Sequence, residues 1–234
     1  MARRTLWFVL FALVAAAVCV RLGFWQLARN AERREVNARV SARLLEPPAP
    51  FAAVAPLGDS ARFRRVTLTG VADYAHEVVH AARTNGGSPG VHLLTPVRIA
   101  GSDGAVLVNR GWVYSPDGVA VDHARWREGD TLQVTGFVEH FLAAPRPAAG
   151  VPRTDRVVRT VDRDEIVRLT GTAVAPVYVV ATEVESRPAH AGEPPVRLTP
   201  PELGTGPHLG YAIQWFAFAA IALIGTSVVL AKRR

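Results

Sequence analysis

A single cysteine, Cys19, occurs among the 234 residues, and it falls inside an apolar run. The chain therefore has no disulfide, no CxxC pair and no cysteine metal site. GxSxG is also missing, so the usual signatures of nucleophilic hydrolysis are absent. No glycine-rich loop follows a strand pattern and opens a helix, which removes the common phosphate cradle. Neither an internal repeat nor a long disordered tail stands out. A formal charge of +7 would suit nucleic acid. The arginines are scattered, however, and two basic clusters flank apolar runs, where they act as topology signals. Nucleic acid is not an expected partner.

What the chain does have, at both ends, is hydrophobicity. Residues 209–231 carry no charge and stop at Lys232-Arg233-Arg234. At 1.5 Å per residue they reach roughly 34 Å, enough to cross a bilayer core with some tilt. Residues 6–20, preceded by Arg3 and Arg4 and extended beyond Arg21 by Leu22, Phe24, Trp25 and Leu27, admit two readings. A basic start, a short apolar region and Ala15-Ala16-Ala17 match a cleaved signal peptide. Against cleavage, residues 5–27 suffice to span. Trp7/Phe8 and Phe24/Trp25 fall where aromatic belts belong, and Arg21 can snorkel outward. The uncleaved anchor is the favoured expectation. Basic tails at both ends predict cytoplasmic termini, with about 180 residues between the spans outside. No transit peptide precedes Leu6, which fits a bacterial plasma membrane.

The expected organisation is a tail at 1–5, a span at 6–27, a juxtamembrane helix and linker at 28–58, a β-rich extracytoplasmic domain at 59–186, a proline-rich spacer at 187–207, a second span at 208–231 and a tail at 232–234. Val36, Val40 and Leu44 recur every fourth residue among charges, so the first helix continues beyond the membrane to Pro47-Pro48. The alanine- and proline-rich stretch 47–58 reads as linker. From Arg62 the period changes to two, with strands expected around Val66/Leu68, Val78/Val79, 91–99, 105–113, 131–141 and 174–181. Gly101-Ser102-Asp103-Gly104 provides turn chemistry for a hairpin. One short helix is predicted at 162–169, capped near Asp162 and stopped by Gly171. The fold class is thus a membrane protein of α+β type, in which two transmembrane helices flank a mainly antiparallel barrel or sandwich.

His76-Glu77-Val78-Val79-His80 matches HExxH literally. Its valines favour a strand, where residues i and i+4 lie about 13 Å apart, too far for one shared zinc. Asp162, Asp164 and Glu165 sit at a helix start, where acids are favoured without catalysis. The border of the second span is more informative. On a helix His208, Tyr211 and Trp215 share a face, with Gln214 beside Tyr211. Trp25-Gln26 lies near the outer end of the other span. These residues are either interfacial anchors, as Trp and Tyr commonly are, or a groove for a flat amphiphile. In the second case His208 is a metal ligand and Arg21 or Arg29 lies near the ligand's acids.

Five segments, in order, resemble the Surfeit locus protein 1 family of cytochrome oxidase assembly factors. They are Leu22-Gly23-Phe24-Trp25-Gln26-Leu27-Ala28-Arg29, Arg65-Val66-Thr67-Leu68-Thr69-Gly70, Thr95-Pro96-Val97, Leu107-Val108-Asn109-Arg110-Gly111-Trp112-Val113 and His208-Leu209-Gly210-Tyr211-Ala212-Ile213-Gln214-Trp215. The resemblance implies a non-enzymatic role in maturing oxidase subunit I, with haem a as cargo, a haem a synthase as a further partner, and His208 as the axial ligand. The family often has asparagines before this histidine, whereas this chain has Gly206-Pro207. Arg110 and Trp112 match its NRGW strand, where a structural role is expected. Three hypotheses stand: a haem a chaperone using His208, Tyr211, Gln214, Trp215, Trp25 and Gln26; a scaffold without cargo; and an anchored zinc peptidase resting on residues 76–80 alone.

Overall fold

The computed structural model describes residues 3–102, 104–144, 156–184 and 195–232. The chain divides into two compact units. One comprises residues up to Ser41 and from Glu202 onward, the other Ala42–Pro201.

The first unit is a pair of helices. Helix α1 (Arg3–Leu45) is uninterrupted. Its first half is an apolar run without proline. Its second half carries charge pairs at helical spacing, with Arg29 2.7 Å from Glu32 and Arg39 3.6 Å from Glu35, each contributing about 0.3–0.5 kcal/mol. Pro47 ends it, because the residue before a proline is pushed out of the helical region. Helix α4 (His208–Ala231) starts after Pro207, whose carbonyl accepts from Tyr211 N at 3.0 Å. Thr226 and Ser227 donate their hydroxyl protons to the carbonyls of Ala222 and Leu223 at 2.7 and 2.9 Å. Local satisfaction of this kind is what an apolar solvent demands. Both helices are long and apolar enough to cross a membrane. Their outer faces are oily, with Phe11 73% and Ile221 66% exposed, where a helix in water would be polar.

The residues these helices bury are small: Thr5, Ala12, Ala16 and Gly23 on α1, and Ala212, Ala219 and Thr226 on α4. Spacings of four and seven put each set on one face. Without a hydrophobic driving force between helices in lipid, such small-residue stripes are where packing concentrates. A Cβ at Gly23 would lie 2.6 Å from the Phe216 ring, so any larger residue there would force the ring to move. Phe24 meets the same ring edge-on, at 5.3 Å between centroids.

The second unit is one eight-stranded sheet. Its strands are β1 (Ala49–Pro50), β2 (Arg65–Ala72), β3 (Val78–Asn85), β4 (Ser88–Arg98), β5 (Ala105–Tyr114), β6 (Thr131–His140), β7 (Val157–Val158) and β8 (Val177–Val184), in the order β1-β2-β6-β8-β5-β4-β3-β7. The sheet is mixed. Pairs β1–β2, β3–β7 and β5–β8 are parallel; β2–β6, β6–β8, β4–β5 and β3–β4 are antiparallel, and β2 also pairs with β4 at Val71–Arg98 and Ala72–Val97. Residues 105–111 of β5 are all buried, as expected of a strand covered on both faces. Val106 and Val108 enter a cluster with Val66, Leu132 and Val179, whereas Leu107 enters one with Leu94, Val180 and Ile166. Each such side chain contributes roughly 1.5–3 kcal/mol when fully buried.

Helix α3 (Arg163–Thr170) forms where its caps predict. The Asp162 carboxylate accepts from Glu165 N at 3.0 Å, and Gly171 takes the left-handed conformation that ends it. Two expectations need correction. Residues 47–58 are not a free linker: helix α2 (Phe51–Val54) and a 3-10 turn (Ala55–Ala61) bury Phe51, Val54 and Ala61 in the first core cluster. Of the expected spacer at 187–207 the structure describes residues 195–207, and 195–201 belong to the sheet unit rather than standing apart as a spacer. Val196 exchanges backbone hydrogen bonds with Trp112 at 2.8 Å in both directions, and Leu198 packs on the second cluster. The remainder of the expected spacer up to residue 194 lies outside the described residues.

Candidate functional site

The first turn of α4 and the stretch of α1 just beyond Gly23 bring polar groups together at one end of the helix pair. His208 Nδ1 lies 2.8 Å from Gln26 Oε1. Among the described residues the other ring nitrogen, Nε2, has no hydrogen-bond partner. Its neighbour Gly206 has φ +71°, and a Cβ there would lie 3.6 Å from Nε2. The absence of a side chain thus keeps that edge of the imidazole open. It opens on a cleft of about 360 Å³ lined by Arg29, Glu32, Arg33, Val36, Gly204 and Thr205. The far wall is held by Asn37, whose amide donates to the carbonyls of Leu203 and Gly204 at 3.2 Å each. Arg29 is paired with Glu32. Arg33 reaches only the Gly204 carbonyl, at 3.5 Å, and has no acidic partner among the described residues. The cleft is cationic, open and bordered by one imidazole nitrogen without a hydrogen-bond partner among the described residues, an arrangement suited to a metal-bearing ligand with acidic groups.

The six residues expected to form a groove do not all converge. On α4, His208 and Trp215 share the packed face with Ala212 and Ala219, but Tyr211 lies about 60° from His208 around the helix and Gln214 about 120°; both are exposed. Trp25 is two residues past Gly23, about 200° around α1, and half exposed, so it faces away from the packed stripe. Gln26 and His208 are brought together; Trp215 joins their side and stacks edge-on against Phe218 at 6.0 Å. Arg21 is exposed and does not line the cleft. Arg33 and Asn37 were missed by sequence reading, although both lie on the helical repeat that continues from Gln26 and Arg29.

In the sheet unit, the NRGW strand supplies a buried charge cluster. Arg110 is fully buried. It donates from Nη2 to Glu77 at 2.5 Å, from Nη1 to Glu128 at 2.7 Å and to the Trp126 carbonyl at 2.6 Å, and from Nε to Thr95 Oγ1 at 2.7 Å. Thr95 and His123 also bond Glu77, and Arg197 bonds both Glu128 and the Arg110 carbonyl. Burial alone would raise the Glu77 pKa, but the Arg110 charge with the His123, Thr95 and Arg110 hydrogen bonds outweighs it and holds the carboxyl below its ordinary range. The expected structural role of Arg110 is what this geometry provides. Trp112 donates to the Arg83 carbonyl at 3.2 Å.

The HExxH segment is dispersed by the same sheet. His76 bonds Asp73 at 2.9 Å, Glu77 turns inward to Arg110, and His80 sits opposite His92 on the β3–β4 ladder. A glutamate committed to a buried arginine is no general base, and among the described residues no group of three or more His, Cys, Asp or Glu could hold a metal ion.

Comparison with known proteins agrees with the family resemblance. The family model described as SURF1 family matches residues 13–220. A SURF1-like protein of Mycobacterium tuberculosis is 30% identical over 208 residues, covering 86% of this chain and 73% of that protein. A SURF1-like protein of Monosiga brevicollis is 28% identical over 219 residues, with 86% and 79% covered. One of Rickettsia felis is 25% identical over 228 residues, with 94% and 95% covered.

Proposed function

The chain belongs to the SURF1 family, and on that premise we propose that it binds haem a at the His208 cleft and aids its insertion into subunit I of cytochrome c oxidase. Membership carries the general role, oxidase assembly without catalysis. The haem step is our reading of the helix pair. The observation that carries it is the open Nε2 of His208 above the Arg29–Arg33 cleft: a porphyrin needs an axial nitrogen for its iron and cations for its carboxylates. Of the residues expected to contact the cargo, His208 lines the cleft, Gln26 bonds His208 and Trp215 lies on the same side of α4, which supports the reading. Tyr211, Gln214 and Trp25 would contact only the portion of a ligand that extends outside the packed stripe. A haem a synthase is the natural donor of such a cargo.

The setting we propose is a bacterial plasma membrane crossed twice, with both termini cytoplasmic and residues 42–201 outside. The basic tails support that orientation. The β2–β4 pairing, which links the two ends of the run β2-β6-β8-β5-β4, supports reading the sheet as a small closed barrel. Purified in detergent with haem a, the protein is expected to bind one haem per chain with a distinct absorbance spectrum. If His208→Ala bound haem a with undiminished stoichiometry and affinity, the ligand assignment would be wrong. The outward-facing Trp25, Tyr211 and Gln214 favour a second reading, a scaffold that grips membrane helices of oxidase subunits without cargo. Co-purification with subunit I in the absence of any haem would support it.

A further inference from the structure

We propose that Gln26 is a positioning residue that fixes the tautomer of His208, so that its Nε2 lone pair is the one presented to the cleft. The inference rests on the reading of His208 as the axial ligand and adds the device that makes the imidazole competent. A neutral imidazole carries one proton, and its site is set by the hydrogen bond of the nitrogen that is not ligating. Gln26 Oε1, 2.8 Å from Nδ1, is an acceptor only. With the amide oxygen toward the ring, the proton sits on Nδ1, and Nε2 is left bare on the side where Gly206 leaves room. The reverse tautomer would put a proton on Nε2 and close it to iron.

The arrangement spans the helix pair. Gln26 lies three residues past Gly23, the position where α1 admits the Phe216 ring, so the packing that seats Phe216 also sets the height of the amide beside the imidazole. The imidazole belongs to one helix and its orienting amide to the other. Hydrogen bonding of this kind raises the basicity of a ligating histidine, and loss of such a partner typically costs 10–100-fold in metal affinity.

The test uses the full chain in detergent, labelled with 15N at histidine, first without haem. Wild-type His208 is expected to show a protonated Nδ1 and a bare Nε2, and Gln26→Leu should redistribute the tautomers. With haem a, Gln26→Leu should weaken binding about 10–100-fold and raise the midpoint potential of the bound iron. Gln26→Glu, with a stronger acceptor, should retain binding and lower the potential. A wild-type spectrum showing the proton on Nε2 overturns the inference even if a variant fails to fold. So does an unchanged affinity and potential in Gln26→Leu while His208→Ala abolishes binding, and that outcome leaves the ligand assignment intact. Undiminished binding in His208→Ala would instead remove the reading on which the inference rests.

Discussion

A guanidinium taken out of water costs several kcal/mol unless its donors are met and its charge is opposed, and Arg110 meets both conditions through Glu77 and Glu128. Removing one carboxylate leaves the cation buried beside a single acid that it shares with Arg197. Glu77→Ala should therefore lower unfolding stability by about 3–5 kcal/mol, measured by denaturation of the full chain in detergent; a loss below about 1 kcal/mol would show that the cluster contributes little. A second consequence concerns His80 and His92, opposite each other with Arg83 nearby. Burial, then the neighbouring charges, brings His80 down to about 4 and His92 to about 3. Both folded values lie below the ordinary 6.5, so between them the unfolded chain binds more protons than the native one and stability falls as pH falls through that window. Glu77 acts in the same direction at lower pH, being present as a stabilising carboxylate above its ordinary 4.5 and lost on protonation. Stability measured from pH 7 to pH 4 should decline, and His92→Gln should flatten the upper part of the decline by on the order of 2 kcal/mol. A profile identical to wild type would refute it. None of these partnerships was visible in the sequence. Glu77 lies between two histidines of one motif in sequence but its charge partner is 33 residues away, and spacing within a motif says nothing about ladder neighbours.

At the scale of elements, local chemistry carried the reading where it was self-contained. Asp162 and Gly171 bracket α3 in the sequence and in the fold, and the alternation of residues 131–141 became β6 with its apolar positions inward. The tight turn between β3 and β4 was also legible in principle: Asn85-Gly86-Gly87 is hairpin chemistry, with both glycines at positive φ. Failures came where composition mimicked a linker. Proline-rich residues 195–201 have little hydrophobic patterning, yet Val196 completes a bridge to Trp112 and Arg197 neutralises Glu128, contacts decided by distant strands. If Arg197 holds this strap, Arg197→Ala should speed hydrogen exchange at the Val196 and Trp112 amides at least tenfold, about 1.4 kcal/mol of local opening, while the β5–β8 amides stay protected. Uniform change across the sheet would indicate a global effect instead. The helix pair makes a matching case. Its stripe of Thr5, Ala12, Ala16 and Gly23 is a periodicity of small residues inside an apolar run, and reading for hydrophobicity alone passes over it. Gly23→Leu places side-chain atoms where the Phe216 ring sits and should separate the helices, lowering the yield of a disulfide engineered between Ala16→Cys and Ala219→Cys, both buried on the packed faces, in a Cys19→Ser background. An unchanged yield would mean the pair does not depend on that approach.

For the whole molecule, the decisive contrast is between a unit whose exposed surface is largely apolar and one that buries its valines and leucines in two clusters. The first has the length and the apolar surface to cross a membrane; the second gathers its apolar side chains into an interior, as packed sheets do. The proposed orientation rests on the basic residues at both ends, since a lysine or arginine close to a span favours the cytoplasmic side whereas a long intervening domain translocates regardless of its charge. The two span-length helices were the most legible feature, because length and hydropathy are additive along the chain and need no partner. In a Cys19→Ser background, Leu142→Cys, at a residue 63% exposed, should react with a membrane-impermeant maleimide in intact cells. Lys232→Cys should react only after the membrane is opened. The reverse pattern would place the sheet on the cytoplasmic side, and with it the His208 cleft, since residue 208 begins α4 and residue 232 follows its other end. Labelling of residue 142 therefore tests the membrane orientation proposed for the chain, and with it the side of the membrane on which the proposed haem cleft would lie.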